Sequence, residues 1–170
     1  MLKGLKIKMI KKVVNATLLI MSGTILGIFL TAKKTEKILG ILGANNAKSK
    51  ALYEMLKKWI TLKAEKKGIC SYLEEKGYST VAIYGISDIG EILLEELINE
   101  NVVVKYAIDR NAAYIKTTVD VLAPDDDLPV ADVVIVTAIT FFDEIKSNLK
   151  TKIQCPILSL EEILDELLQQ

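Results

Sequence analysis

The chain has no histidine, one arginine, one tryptophan, two cysteines and three prolines among its 170 residues. Without imidazole there is no histidine base, no histidine-ligated metal and no Ser-His-Asp triad, which excludes most hydrolase chemistry. Cys70 and Cys155 stand 85 positions apart. They form neither a Cys-x-x-Cys redox pair nor a zinc half-site, and two cysteines make no disulfide scaffold. A reduced, intracellular domain is the simplest reading. The length allows one modest core with something attached to it.

Net charge is also absent, at +0, but the balance conceals two halves of opposite sign. Through Gly77 there are sixteen lysines against five glutamates, a balance of +11, and beyond it six basic against seventeen acidic residues, a balance of −11. Two such regions imply two jobs. The basic one is nearly pure lysine and lacks the arginine and aromatic interleaving of base-stacking surfaces, so no nucleic-acid partner is expected. Lysines gathered around an apolar segment suit anionic lipid headgroups better, at about 1 kcal/mol each near the surface.

That apolar segment is 13–32, VVNATLLIMSGTILGIFLTA, without a charged residue between Lys11-Lys12 and Lys33-Lys34. About 20 helical residues span roughly 30 Å, the thickness of a bilayer's hydrocarbon core. A buried helix of a soluble fold would need protein on every side, which a chain this short has little of. A cleaved signal peptide is a poorer fit, because Leu30-Thr31-Ala32 is not a small-x-small cleavage site. Gly23 and Gly27 form a G-x-x-x-G that lets two helices approach closely, the basis for an expected homodimer, although glycine is common in membrane helices anyway. Lysines are tied, five before the segment and five (33, 34, 37, 48 and 50) within about 20 residues after it, so the positive-inside rule chooses no orientation. The character of the following domain places it on the cytoplasmic side of the cell membrane, behind a single pass.

The expected organisation is therefore a basic N-terminus (1–12), a transmembrane helix (13–32), a linker (33–47), a basic amphipathic helical connector (48–77) and an α/β domain (78–170). In the connector Leu52, Met55, Leu56, Trp59, Ile60 and Leu62 recur at helical spacing, and Gly77 ends the helix in the C′ manner. Trp59 reads as a packing anchor or interfacial residue. Tyr53-x-x-x-Lys57 and Tyr72-x-x-x-Lys76 match a short-chain dehydrogenase spacing but precede the first strand, and are coincidences of helical period.

Beyond Gly77, strands and helices alternate. Strands are expected at 80–84, 102–108, 119–122, 131–139 and 156–160, with helices at 89–99, 142–150 and 161–168. This alternation predicts a parallel sheet with right-handed crossovers, a small Rossmann-like fold flanked by helices. Gly85-Ile-Ser87-Asp88-Ile-Gly90 is the G-x-G-x-x-G dinucleotide fingerprint with serine at the second glycine, in the required strand-to-helix context. Gly85 permits the tight turn, Gly90 lets helix and strand pack closely, and the helix start offers amides to a phosphate. Asp109, nineteen residues beyond Gly90, ends the second strand where a carboxylate takes ribose hydroxyls. Against a full dinucleotide stand the side chain of Ser87 and the charge of Asp88. Arg110 is positioned for a phosphate or for pairing at the strand end. Thr137 and Thr140 bring hydroxyls to the same sheet edge, and Thr140 reads as the cap of the next helix.

The run Val81-Ala-Ile-Tyr-Gly-Ile-Ser-Asp-Ile-Gly90, with Tyr106-Ala-Ile-Asp109 and Ala131-Asp-Val-Val-Ile-Val-Thr137, resembles the small Rossmann-like nucleotide-sugar modules of bacterial polysaccharide enzymes. These are the N-terminal domain of sugar acyltransferases of the PglD type and the C-terminal domain of sugar C-methyltransferases. The resemblance covers about half the chain. It implies that Gly85, Ser87, Asp88 and Gly90, with Asp109 nearby, contact a nucleotide sugar. The chain carries neither relative's catalytic machinery: no hexapeptide repeat, no methyl-donor domain, no histidine base. The expectation is a membrane-anchored binding module for a nucleotide or nucleotide sugar, an accessory to enzymes of cell-envelope polysaccharide biosynthesis, without catalytic or metal-ligating residues. Two alternatives stand beside it: an NAD(P)-dependent sugar-nucleotide oxidoreductase or epimerase with Tyr84, Tyr106 or Lys105 as proton donor, and a ligand-free scaffold recruiting a basic partner.

Overall fold

The computed structural model describes residues 2–100 and 102–170, and within 2–31 the described side chains are those of Thr17, Gly23 and Thr24. The chain divides into two compact units, Met1–Ser49 and Lys50–Gln170. The first helix, α1 (Leu2–Ala64), contributes to both. Among the described residues no helix is long and apolar enough to cross a membrane. The expectations placed on the basic N-terminus, on the uncharged run 13–32 and on Gly27 fall almost wholly outside the described side chains. Gly23 is exposed, with nothing within 4 Å of where a Cβ would stand. From Ala32 to Lys50 every side chain is exposed.

The second unit holds a five-stranded sheet in the order β3-β2-β1-β4-β5. Its strands are β1 (Thr80–Tyr84), β2 (Val103–Ile108), β3 (Val121–Leu122), β4 (Val133–Val136) and β5 (Ile157–Ser159), and every neighbouring pair is parallel. The helices are α2 (Ile69–Lys76), α3 (Asp88–Asn99), α4 (Phe142–Leu149) and α5 (Leu160–Gln169). This is the α/β fold with a parallel sheet flanked by helices that the strand–helix alternation predicts.

Period-two alternation divides the core into two faces. Val81 and Ile83 of β1 pack with Ile89, Leu93 and Leu97 of α3 on one side, while Ala82 and Tyr84 pack with Ile145 and Leu149 of α4 on the other. The chain crosses from β1 to β2 in one direction and from β4 to β5 in the other. Right-handed crossovers therefore place α3 and α4 on opposite faces. All four residues of β4 are buried, the continuous apolar run of a strand covered on both sides.

The end of α1 belongs to the first of these faces. Met55, Trp59 and Leu62, a stripe at helical spacing, are buried with α2 and α5. A polar lock sits within this contact: Glu96 of α3 is buried, accepts a hydrogen bond from Trp59 Nε1–H at 3.0 Å and pairs with Lys63 Nζ at 2.8 Å. Lys58 pairs with Glu161 and Asp165 on α5, and Lys76 with Glu166. Three lysines of the basic half thus meet carboxylates of the acidic half. Past α1, Lys66 takes a left-handed φ of 59° and α2 ends at Gly77 with φ 73°, the left-handed C′ glycine that the sequence predicts. A capping box starts α5, with Ser159 Oγ accepting from Glu161 N–H and Glu162 from Ser159 N–H.

Candidate functional site

Strand order reverses between β1 and β4. In open parallel sheets, the crevice beyond the carboxyl ends of such a pair is where ligands bind. Two loops meet there, Gly85–Ser87 after β1 and Thr137–Ala138 after β4. Gly85 adopts φ 97°, a conformation that a Cβ disfavours, and a Cβ there would stand 2.8 Å from Thr137 Oγ1. At Gly90 a Cβ would overlap the Gly85 carbonyl. Both glycines are therefore required by the turn's own packing, whatever it binds.

The turn is pinned from two neighbouring strands. Gly85 N–H donates to the Ile108 carbonyl at 2.8 Å. Asp109 Oδ2 accepts from Ile86 N–H at 3.0 Å, and Asp109 Oδ1 accepts from Asn111 N–H at 2.8 Å in an Asx turn. On the other side, buried Thr137 donates its hydroxyl to the Gly85 carbonyl at 2.6 Å, while its N–H donates to the Tyr84 carbonyl at 3.0 Å. Gly85, Gly90, Asp109 and Thr137 are thus gathered into one construction. Each oxygen of Asp109 holds one amide and keeps a second acceptor position.

Ser87, Asp88 and Arg110 are exposed around it. Ser87 is the N-cap of α3 and its side chain makes no capping bond. The first amide after the turn to find a carbonyl is that of Glu91, on Ser87 at 2.9 Å. The amides of Ser87 to Gly90 are the unpaired donors that a helix start leaves. Among the described residues Arg110 makes no hydrogen bond or ion pair. Asp88 sits in the first turn of α3, and Asp143 and Glu144 in the first turn of α4. Thr140, read as a helix cap, lies in a 3-10 turn (Ile139–Phe141), and the N-cap position of α4 is Phe141, which makes no side-chain capping hydrogen bond. An irregular turn inserted before the helix displaces the threonine by one position.

The proton-donor candidates are held in other ways. Tyr106 donates its hydroxyl to the Pro129 carbonyl at 2.7 Å, and burial pushes its pKa up to about 12. Burial also raises that of Tyr84, against the lowering influence of Arg110. Lys105, which the β1–β2 register skips, donates to the Val130 carbonyl at 2.7 Å. Both Pro129 and Val130 belong to the segment leading into β4, away from the turn. Burial raises the thiol pKa of Cys70 to about 11 and raises that of Cys155 as well. Among the described residues no group of three or more acidic or cysteine side chains is placed to hold a metal. An open groove of about 720 Å³ lies on α3, lined by Glu91, Leu94, Glu95, Ile98 and Lys116 among others, and includes none of the predicted site residues.

What sequence reasoning missed is that Asp109 and Thr137 face the turn itself. The signal for Asp109 was Asp109-x-Asn111, an Asx-turn pattern. For Thr137 there was none, because its partner lies 52 positions away.

Fold and site together define a small α/β module with a glycine turn at the switch point of a parallel sheet. No family model, curated protein or solved structure matches the chain.

Proposed function

We propose that the chain is a membrane-anchored Rossmann-like module that binds a nucleotide or nucleotide sugar and serves cell-envelope polysaccharide biosynthesis as a non-catalytic accessory. The observation that carries the ligand reading is the Gly85–Gly90 turn, with four amides at the switch point that find no partner among the described residues, and exposed Arg110 following Asp109 in sequence. Such amides favour an anionic oxygen, and the spare acceptor positions of Asp109 suit hydroxyls. Asp88 opposes an anion at the helix start, which favours a ligand with fewer phosphates there. The pathway assignment rests on the likeness to nucleotide-sugar modules, and the anchor on residues 13–32. The oxidoreductase alternative draws less support, since of its three proton-donor candidates Tyr106 and Lys105 are engaged with backbone carbonyls away from the turn, leaving Tyr84 at the end of β1 as the one that adjoins it.

A thermal-shift panel on a fragment from Lys48 to Gln170, checked for folding by circular dichroism, tests the reading against NAD(H), NADP(H), UDP- and dTDP-sugars and nucleoside diphosphates. A ligand at about one hundred times its Kd adds roughly 2.7 kcal/mol, several degrees for a domain of this size. The informative variant is Ser87→Asp rather than any change at Gly90. It keeps a good N-cap residue, so the fold is retained, while setting a carboxylate where the anion would bind. The shift is expected to vanish in Ser87→Asp and to grow in Asp88→Asn. A flat panel from a folded fragment rejects the proposal and leaves the ligand-free scaffold.

A further inference from the structure

We propose that the Tyr84 hydroxyl is a sugar-recognising contact, and that the ligand of this site is a nucleotide carrying a hexose rather than a bare nucleotide. The inference rests on the reading of the glycine turn as a nucleotide site and deepens it. Tyr84 is the last residue of β1, the central strand, and lies in register between Ile108 of β2 and Val136 of β4. Alternation turns its side chain to the α4 face, among Ile108, Val136 and Ile145, with Phe142 packed against the same cluster. The residue is only 9% exposed, so its ring is enclosed. Its hydroxyl makes no hydrogen bond among the described residues, and none of their side-chain oxygens that lacks a partner is shut off from solvent. A phenol that is about nine-tenths buried therefore shows solvent its one polar atom, and that atom is unpaired.

The hydroxyl emerges at the carboxyl edge of the sheet, where the charged groups around it also stand. Asp109 and Arg110 follow β2, Asp125 follows β3, and Glu144 lies in the first turn of α4, after β4. Burial pushes the Tyr84 phenol up, Arg110 pulls it down, and Asp109, Glu144 and Asp125 push it up again. It stays protonated at neutral pH, able both to donate and to accept. Asp125 is already paired with Lys152 at 2.7 Å, whereas exposed Glu144 makes no ion pair or side-chain hydrogen bond among the described residues. The backbone beneath the phenol is fixed, since the Tyr84 carbonyl accepts from Thr137 N–H at 3.0 Å and from its hydroxyl at 3.2 Å. The contact is thus held in place before a ligand arrives.

This mixture of groups selects what it binds. A phosphate only accepts hydrogen bonds, and the Glu144 carboxylate repels it. A nucleobase seeks a stacking face, which the enclosed ring of Tyr84 does not offer. A hexose both donates and accepts: its hydroxyls can donate to Glu144 and to the open acceptor positions of Asp109, and its oxygens can accept from Tyr84 and Arg110. The opposite charges of Arg110 and Glu144 cancel, as suits an uncharged ring. The amides at the start of α3 are left for phosphate. The ribose of a nucleotide offers similar hydroxyls, which makes the bare nucleotide the control.

The test is calorimetric titration of the full chain in mild detergent with paired probes: UDP and UDP-glucose, dTDP and dTDP-glucose, GDP and GDP-mannose. In the pair that binds, the conjugate is expected to bind about ten-fold more tightly than its parent diphosphate. Tyr84→Phe keeps the enclosed ring and removes one hydrogen bond, so the conjugate should weaken about three- to ten-fold while the diphosphate is unchanged. Glu144→Gln should weaken the conjugate about three-fold and leave the diphosphate no weaker. A gain for both members of the pair in Glu144→Gln marks a phosphate subsite and overturns the proposal. Equal affinities in the native chain, equal losses for both members in Tyr84→Phe, or a preference for the conjugate that survives Tyr84→Phe overturn it too, and leave the turn standing as a nucleotide site. Silence from every probe rejects the nucleotide reading and this inference with it.

Discussion

Two aspartates use backbone amides at opposite ends of the β1–β4 region. Asp109 fastens the glycine turn at the carboxyl end. Asp132 accepts from Thr80 N–H at 2.7 Å and Ser79 N–H at 2.9 Å, while its own N–H donates to Thr80 Oγ1. The bond from the Thr80 amide, then the Thr80 side chain and the Ser79 amide, hold the Asp132 carboxyl below its ordinary 3.8. A folded-state pKa that is depressed contributes stability above the unfolded value, and that contribution is lost as pH falls through the folded one. The melting midpoint of the native chain is therefore expected to drop more steeply below about pH 4 than that of Asp132→Asn. Parallel slopes would assign the acid sensitivity to other carboxylates, such as Asp125 beside Lys152.

At the scale of elements, docking of α1 turns on Glu96. Its buried carboxylate serves the Trp59 indole from one side and Lys63, itself half exposed, from the other. Glu96→Ala leaves a buried N–H unpaired and is expected to cost about 2–4 kcal/mol by urea denaturation. Glu96→Gln keeps an acceptor for Trp59 and loses only the exposed half of the pair, under about 1 kcal/mol. Equal losses would show that charge, not the indole's hydrogen bond, seats the helix. This contact marks how far the sequence could be read. The glycine at 77 and the apolar runs gave β1 and, to within a residue, β2, because local spacing encodes them, whereas the run expected as a strand over 131–139 forms only Val133–Val136 and the expected linker 33–47 lies within α1. That Trp59 would find Glu96, or Thr137 the Gly85 carbonyl, was illegible. Those partners are 37 and 52 positions apart and are chosen by sheet order, which no local pattern contains. The same holds for Asp109, whose place at a strand end was evident but whose inward aim was not.

At the scale of the whole molecule, the opposed charges of the two halves meet partly within the chain itself, through Lys58, Lys63 and Lys76. If residues 13–32 span a bilayer, the full chain stays with membranes after alkaline carbonate washing, whereas the chain without 13–32 is released. Release of both would remove the anchor from the functional reading. The pinning of the turn also governs when the site comes into being. Its amide at Ile86 waits for a carboxylate 23 positions later and its carbonyl at Gly85 for a hydroxyl 52 positions later. A chain still emerging from the ribosome, with β1 and the turn already synthesised, has every residue of the glycine motif and no shaped site. The site matures only once Thr137 has cleared the exit tunnel and β4 has joined β1. On the proposed reading, a ligand therefore cannot template early folding and is met only by chains in which β4 has already joined β1.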